Sequence, residues 1–391
     1  MTSVQRTIGI GGATLIGLAS MIGTGVFASW SPAYSLAGSA LLISLLIAAL
    51  IATLNAISNA RLARIFPQSG GGYVYGKNCL GSNPALIAGF SFLIGKTASA
   101  SAAALVIGAY LAPDHSRIVA VLAVIIVLAL NLRGLKYSLI AMALSVSIVV
   151  AIMGSLILFS QASQSLSVTS ALPSDLSSDL PPEPTVVSIL AAAGILFVAF
   201  AGYARISVIA SEVKRPTLII PLAVGLSLSI VLVLYFFVAS SLLAAPQTLE
   251  SSTPLEALAR VFGYPVWLIQ IGALLAAGAA LFALMVGIGR MMFAMALDGP
   301  LPSSLALVAG PRAVPRRAEI LTSVIVLALT VFGGIGVNLA VSGFFVLCYY
   351  AVVQFASMTR EGNPVIRWII PGAGLFVMTL VVGSLVLSTL G

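Results

Sequence analysis

From Leu41 to Leu54 the chain reads LLISLLIAALIATL, and from Leu122 to Leu130 it reads LAVIIVLAL, without one charged side chain. Runs of this kind constrain the fold more than any other feature. A helix needs about 20 apolar residues to cross a hydrocarbon layer of about 30 Å, and in lipid every peptide group must be bonded within the protein. Strands of a membrane barrel would alternate apolar and polar residues, whereas these runs are continuously apolar. With 60% hydrophobic and only 7% charged residues, no soluble domain could cover its core. The fold class predicted is an all-α polytopic membrane protein.

A hydropathy window predicts about 11 helices, near 8–36, 37–62, 84–112, 117–132, 137–160, 186–211, 217–245, 265–297, 318–337, 339–358 and 364–389, with Asn338 alone marking the turn between the ninth and tenth. Charge placement supports the count. With the amino terminus inside, the cytoplasmic connections hold Arg6, Arg61, Arg64, Lys77, Arg133, Lys136, Lys214, Arg215, Arg312, Arg316, Arg317, Arg360 and Arg367, and the outer ones only Arg117 and Arg260. Asp175, Asp179 and Glu183 make an acidic outer loop. The net charge of +8 therefore reflects topology and attraction to anionic lipid, and gives no reason to expect nucleic acid as a partner. An inner, or plasma, membrane location follows, with a cytoplasmic amino terminus and the carboxyl terminus outside.

The Ser- and Pro-rich loop 161–185 divides the chain. Residues 1–160 hold helices 1 to 5, residues 186–358 hold helices 6 to 10, and 359–391 add an eleventh. Because five is odd, the two halves start on opposite sides of the membrane, as an inverted-topology pair does. The first helix of each half carries weak helix formers at depth: Gly23-Thr24-Gly25 in the first, and Gly202 followed by Arg205 in the sixth. Discontinuous helices at matching positions point to a substrate site between the halves, where opened backbone grips a small ligand in place of its own hydrogen bonds. An amino acid zwitterion suits it, its carboxylate on free N–H groups at a half-helix start and its ammonium on free carbonyls.

Several stretches resemble the amino acid-polyamine-organocation superfamily of transporters: SMIGTGVF in the first helix, FPQSGGGYVYG in the first cytoplasmic loop, NLRGLKYS entering the fifth helix, FVAFAGYARISVIASEVKRPTLIIPLAV across the sixth and seventh, and RMMFAMALDGPLP closing the eighth. The likeness covers almost the whole chain. It implies a five-plus-five inverted-repeat fold with helices 1 and 6 discontinuous. It further implies substrate contacts from Ile22, Gly23, Thr24 and Gly25, ammonium contacts from the carbonyls of Val198, Ala199 and Ala201, and gating by Phe200 and Tyr203. Where several members carry an acidic residue after the sixth-helix break, this chain has Ala204 and then Arg205. That departure favours a neutral, apolar amino acid over arginine or a polyamine.

Ion coupling is constrained by what the helices lack. Residues 265–297 contain no Ser or Thr to serve a sodium site, and residues 137–160 contain no Lys or Arg. Lys96 sits in the third helix, where a charge costs at least about 2.5 kcal/mol and is expected to face a cavity or a partner. It reads either as a proton carrier, making protons the candidate coupling ion, or as a structural amine on the carbonyls of a broken helix. Arg205 holds its proton. It reads as a gate residue, with Glu212 as a water-bridged partner, and Arg290 as a residue reaching for the interface.

Cys79 and Cys348 stand far apart, and His115 sits in an outer loop, so no metal or cofactor is expected. SGGGYVYG lacks the lysine and hydroxyl of a phosphate loop. Trp30, Trp267 and Trp368 fall near predicted helix ends, as in an interfacial belt. A membrane enzyme would need a catalytic cluster at depth, and a channel would need repeated polar rings; neither is present in the sequence. The reading is a secondary transporter of a neutral amino acid, sodium-independent and working by alternating access; an exporter or exchanger without ion coupling and a transporter-like sensor are the alternatives. Oligomeric state is not written in the sequence. If Lys96 carries the coupling proton, Lys96→Met flattens the pH profile of transport, and an unchanged profile in proteoliposomes removes it from that role.

Overall fold

The computed structural model describes residues 8–66, 70–133, 139–166, 183–203, 205–206, 213–308 and 314–390. Arg6, Lys136, Asp175, Asp179, Ala204, Glu212 and Arg312 lie outside the described residues. The described chain is helical: α1 (Ile10–Met21), α2 (Thr24–Ala28), α3 (Trp30–Ala37), α4 (Leu41–Ile65), α5 (Gly71–Cys79), α6 (Ser82–Leu111), α7 (Ser116–Leu132), α8 (Leu139–Leu166), α9 (Val186–Phe200), α10 (Pro216–Leu243), α11 (Pro254–Phe262), α12 (Val266–Leu297), α13 (Arg316–Phe332), α14 (Ile335–Met358) and α15 (Ile370–Leu390). Among the described residues, nine helical runs are long and apolar enough to cross a membrane, with α1–α2 and α3–α4 each counted as one run. The 15-residue α9 and the 17-residue α13 are shorter.

Side-chain placement is that of a protein whose solvent is lipid. Ile118, Leu122 and Ile126 on α7 and Leu218, Leu222 and Val233 on α10 stand exposed, while Asn55, Ser58, Asn59, Thr322, Asn338 and Gln354 are buried. Polar groups gain nothing from facing hydrocarbon, so they turn inward and bond across helices. Ser58 Oγ donates to Gln354 Oε1 and Gln354 Nε2 to Asn55 Oδ1, each at 2.5 Å, which ties α4 to α14. The middle of α6, Ser99 to Ala104, is wholly buried, and its small residues let α12 and α14 pack closely on it.

Two sequence expectations are corrected. The turn between α13 and α14 falls at Gly333 and Gly334, not at Asn338, which lies in the first turn of α14. The Asn338 amide belongs to the seam between these helices and α6, donating to Ser101 Oγ at 2.9 Å and to Leu329 O at 3.4 Å. Trp30 is no belt residue: it is buried, with its indole N–H donating to Val26 O at 2.7 Å. Trp267 and Trp368 are exposed beside the starts of α12 and α15.

Both ends of the bundle carry a short helix. At one end α11 buries Leu255, Leu258 and Ala259, and its buried Glu256 pairs with Arg260 at 2.6 Å. At the other end α5 is formed by the Gly-rich stretch after Gly70, and Lys77 Nζ meets Asp298 Oδ2 at 2.8 Å just beyond α12. Tyr73 donates to the same oxygen at 2.9 Å. Those donors, Lys77 first, hold the Asp298 carboxyl below its ordinary value, so the tie is lost only as pH falls through that lowered range. Burial, aided by Asp298, pushes the Tyr73 phenol up to about 12.

Candidate functional site

At the end of α1 the helix stops because Ile22 turns to ψ 63° at φ −79°, and the Gly23 N–H donates back to Met21 O at 2.8 Å. That is an inverse γ-turn inside a membrane-spanning run. Gly23 then has φ −119° and ψ −130°, and α2 starts at Thr24. Ser29 keeps right-handed helical angles and its N–H donates to Gly25 O at 3.0 Å, so α2 and α3 continue one another. No side chain caps the start of α2, and no described backbone carbonyl accepts from Thr24, Gly25 or Val26 N–H. The Thr24 hydroxyl is buried without a partner among the described residues.

The other break is alongside. α9 ends at Phe200, Ala201 to Tyr203 form a turn, and Arg205 N–H donates to Gly202 O at 3.0 Å. A Cβ on Gly25 would stand 2.4 Å from both Cα and Cβ of Ala199, and one on Gly202 would stand 2.2 Å from the Ser20 carbonyl. Each interruption thus holds a glycine against the backbone of the other run, and only hydrogen fits at either crossing. The structure brings Gly25 onto Ala199 and Gly202 onto Ser20 and Met21, while Gly23 packs toward Ala280 on α12.

Tyrosines missed by sequence reasoning serve the opened backbone. Tyr235 on α10 donates to Met21 O at 2.7 Å and lies 3.4 Å from Ala199 O. Tyr350 on α14 donates to Ala201 O at 3.4 Å, and Tyr110 on α6 to Phe27 O at 3.0 Å. Val198 O accepts from Ala201 N–H at 3.3 Å. The carbonyls of Val198, Ala199 and Ala201 therefore have internal partners, two of them long. A phenol in the middle of an apolar helix was the available signal, since a buried Tyr hydroxyl needs an acceptor. The rings also pack on one another: Phe200 meets Tyr235 at 5.2 Å between centroids, and Tyr203 stacks on Tyr350 at 5.5 Å.

Charged groups sit close by. Lys96 lies midway along α6 and is half-buried. Arg205 is near enough to repel it, and Arg205 donates to Ala283 O at 3.2 Å. Glu319, which sequence analysis did not single out, is buried against Gly289, accepts from Asn131 at 3.4 Å and faces Arg290. It stands in the first turn of α13, where packing of α12 and α13 covers it. Among the described residues, no group of three or more His, Cys, Asp and Glu could hold a metal ion.

Two interrupted helical runs crossing inside a lipid-solvated bundle define the class of helical membrane transporters. The amino acid permease family model matches residues 8–391, and the chain belongs to that family. An uncharacterised transporter of Mycobacterium tuberculosis is 40% identical over 395 residues, covering 99% of this chain and 88% of the relative. The mitochondrial cationic amino acid transporter 3 of Arabidopsis thaliana is 28% identical over 349 residues, covering 81% of this chain and 56% of the relative. A solved structure of a Na+-coupled sialic acid symporter, substrate-bound and outward-open, has the same fold with a TM-score of 0.60 at 12% identity, covering 96% of this chain and 88% of that one.

Gly25→Ala and Gly202→Ala force the two runs apart, and each is expected to cost about 1–3 kcal/mol or more by overpacking. Gly154→Ala, whose added Cβ meets nothing within 4 Å, is the control that leaves the melting temperature of purified protein unchanged or raised. Tyr235→Phe leaves Met21 O short of a donor and is expected to lose about 1–3 kcal/mol. Tyr350→Phe, losing a longer bond, should lose less, a ranking that thermal unfolding in detergent reads directly.

Proposed function

We propose that the protein is a secondary active transporter that moves a neutral, apolar L-amino acid across the plasma membrane by alternating access. The observation that carries this reading is the crossing of the two breaks: Gly25, in the uncapped first turn of α2, lies against Ala199, and Gly202 lies against Ser20. The substrate carboxylate takes the N–H groups of Thr24 and Gly25, with Ile22 and Gly23 shaping the turn that leaves them free. The ammonium takes the carbonyls of Val198, Ala199 and Ala201, displacing the long Tyr235 and Tyr350 bonds. Phe200 and Tyr203 close the cavity over an apolar side chain.

A cationic substrate is the competing reading, supported by what the Arabidopsis relative is named for. Electrostatics disfavour it. Lys96 and Arg205 stand near the breaks, and neither has an ion pair with a described carboxylate. An arginine side chain would meet like charge in a low-dielectric setting. The same scarcity of oxygen ligands on α12 supports sodium independence, and the proton is the coupling ion this reading assigns, with Lys96 as its carrier and Arg205 as the gate. Residues 1–160 and 186–358 act as the two inverted repeats, with 161–185 between them outside and 359–391 as an appended helix. The amino terminus is placed in the cytoplasm by the arginine and lysine bias.

Proteoliposomes loaded with a branched-chain amino acid and challenged with each of the 20 amino acids outside test this. Leucine, isoleucine, valine, methionine and phenylalanine should exchange with the labelled pool, and lysine and arginine should not. Exchange driven by arginine at a rate equal to leucine overturns the neutral-substrate reading.

A further inference from the structure

Away from the breaks, α4 and α10 part to leave a groove of about 590 Å³, a volume in the range of single-ligand sites. Its walls are Ala56, Ile57 and Ala60 on α4 and Pro221, Val224 and Leu228 on α10, with Gly225 as its open floor. Ile57 and Gly225 are exposed, so the groove opens to the side of the bundle that faces lipid. From Ile65 to Thr53 on α4 and from Thr217 to Leu228 on α10 it runs about 16–18 Å along the helices at 1.5 Å per residue. One leaflet of a hydrocarbon core is about 15 Å deep.

Charge is confined to one end. Arg61 and Arg64 line the groove at the end of α4, together with Thr217 and Asn363, and Lys214 and Arg215 immediately precede α10. The Nη–H groups of Arg61 are spent on neutral acceptors: Nη1 donates to Ser357 O at 3.1 Å and Ile366 O at 3.3 Å, and Nη2 to Arg360 O at 2.6 Å and Glu361 O at 2.9 Å, so Arg61 adds a positive charge that no described carboxylate pairs with. Arg64 is exposed and has no ion pair or hydrogen bond among the described residues. Asn363 spends its Oδ1 on Val365 N–H at 2.9 Å, which leaves its amide N–H groups at the groove.

We infer that this groove binds one anionic phospholipid, its phosphate accepting from Arg64 and Asn363 in the positive field of Arg61, and an acyl chain along Ala56, Ala60, Gly225 and Leu228. A soluble anion has no use for a leaflet-deep apolar wall, and a neutral lipid has none for the two arginines. A second copy of the chain would need a face far wider than a single-ligand groove. The inference does not depend on which amino acid is carried.

The test uses the full chain purified in mild detergent, with native mass spectrometry counting retained lipid and thermal unfolding giving apparent affinity. Phosphatidylglycerol should be retained as one molecule per chain, and phosphatidylcholine and inorganic phosphate should not compete. Each basic residue at a membrane surface contributes about 1 kcal/mol, so Arg64→Gln should weaken phosphatidylglycerol about fivefold, with Arg64→Lys restoring most of it. A Cβ on Gly225 meets nothing within 4 Å, so Gly225→Leu fills the groove without disturbing the fold, and should abolish retention at an unchanged melting temperature without lipid. Equal retention of phosphatidylcholine, full competition by phosphate, or undiminished retention in Gly225→Leu overturns the proposal, as does a dimer that this substitution dissociates.

Discussion

The rest of the structure depends on two backbone crossings inside a hydrocarbon environment. Gly25 lies on Ala199 and Gly202 lies on Ser20, each at a distance that admits no side chain. Such an approach is useful only where both helices have stopped bonding to themselves, because opened peptide groups in lipid must find partners at once. Here they find them in turns, as at Met21 to Gly23, and in phenols supplied by three surrounding helices. The breaks, the glycines and Tyr110, Tyr235 and Tyr350 form one unit.

That unit explains why the surrounding helices are built as they are. Around the crossing the bundle uses Ala, Ser and Gly, especially in the middle of α6, so that α12 and α14 approach closely enough to set Tyr350 on Ala201 O. Its polar seams, Ser58–Gln354–Asn55 and Ser101–Asn338, fix the register of α4, α6 and α14 relative to one another. At the ends, α11 and the Lys77–Asp298 pair close the two faces with contacts much weaker than the packed interior.

Much of this was legible in one dimension. Continuous apolar runs and the placement of Arg and Lys imply a helical bundle in lipid, and weak helix formers at Gly23 to Gly25 and near Gly202 mark unusual backbone. The role of the glycines was only half legible: they interrupt helices, as propensity argues, but at Gly25 and Gly202 they also make room for another chain segment. Tyr235 and Tyr350 were not found because their partners are carbonyls, which no sequence pattern identifies. Trp30 was misjudged because position near a helix end says nothing of which neighbours cover it, and the burial of Glu319 was not legible for the same reason.

By itself, the sequence determined the solvent, the secondary structure and the membership of the amino acid permease family, since hydropathy, charge bias and local motifs are properties of consecutive residues. Only the tertiary structure decided that the two interruptions meet, which hydroxyls serve them, and that Trp30 is buried and does not face the interface. The physical reason is that a hydrogen bond or a close packing contact joins residues tens or hundreds of positions apart, and its distance depends on every helix between them.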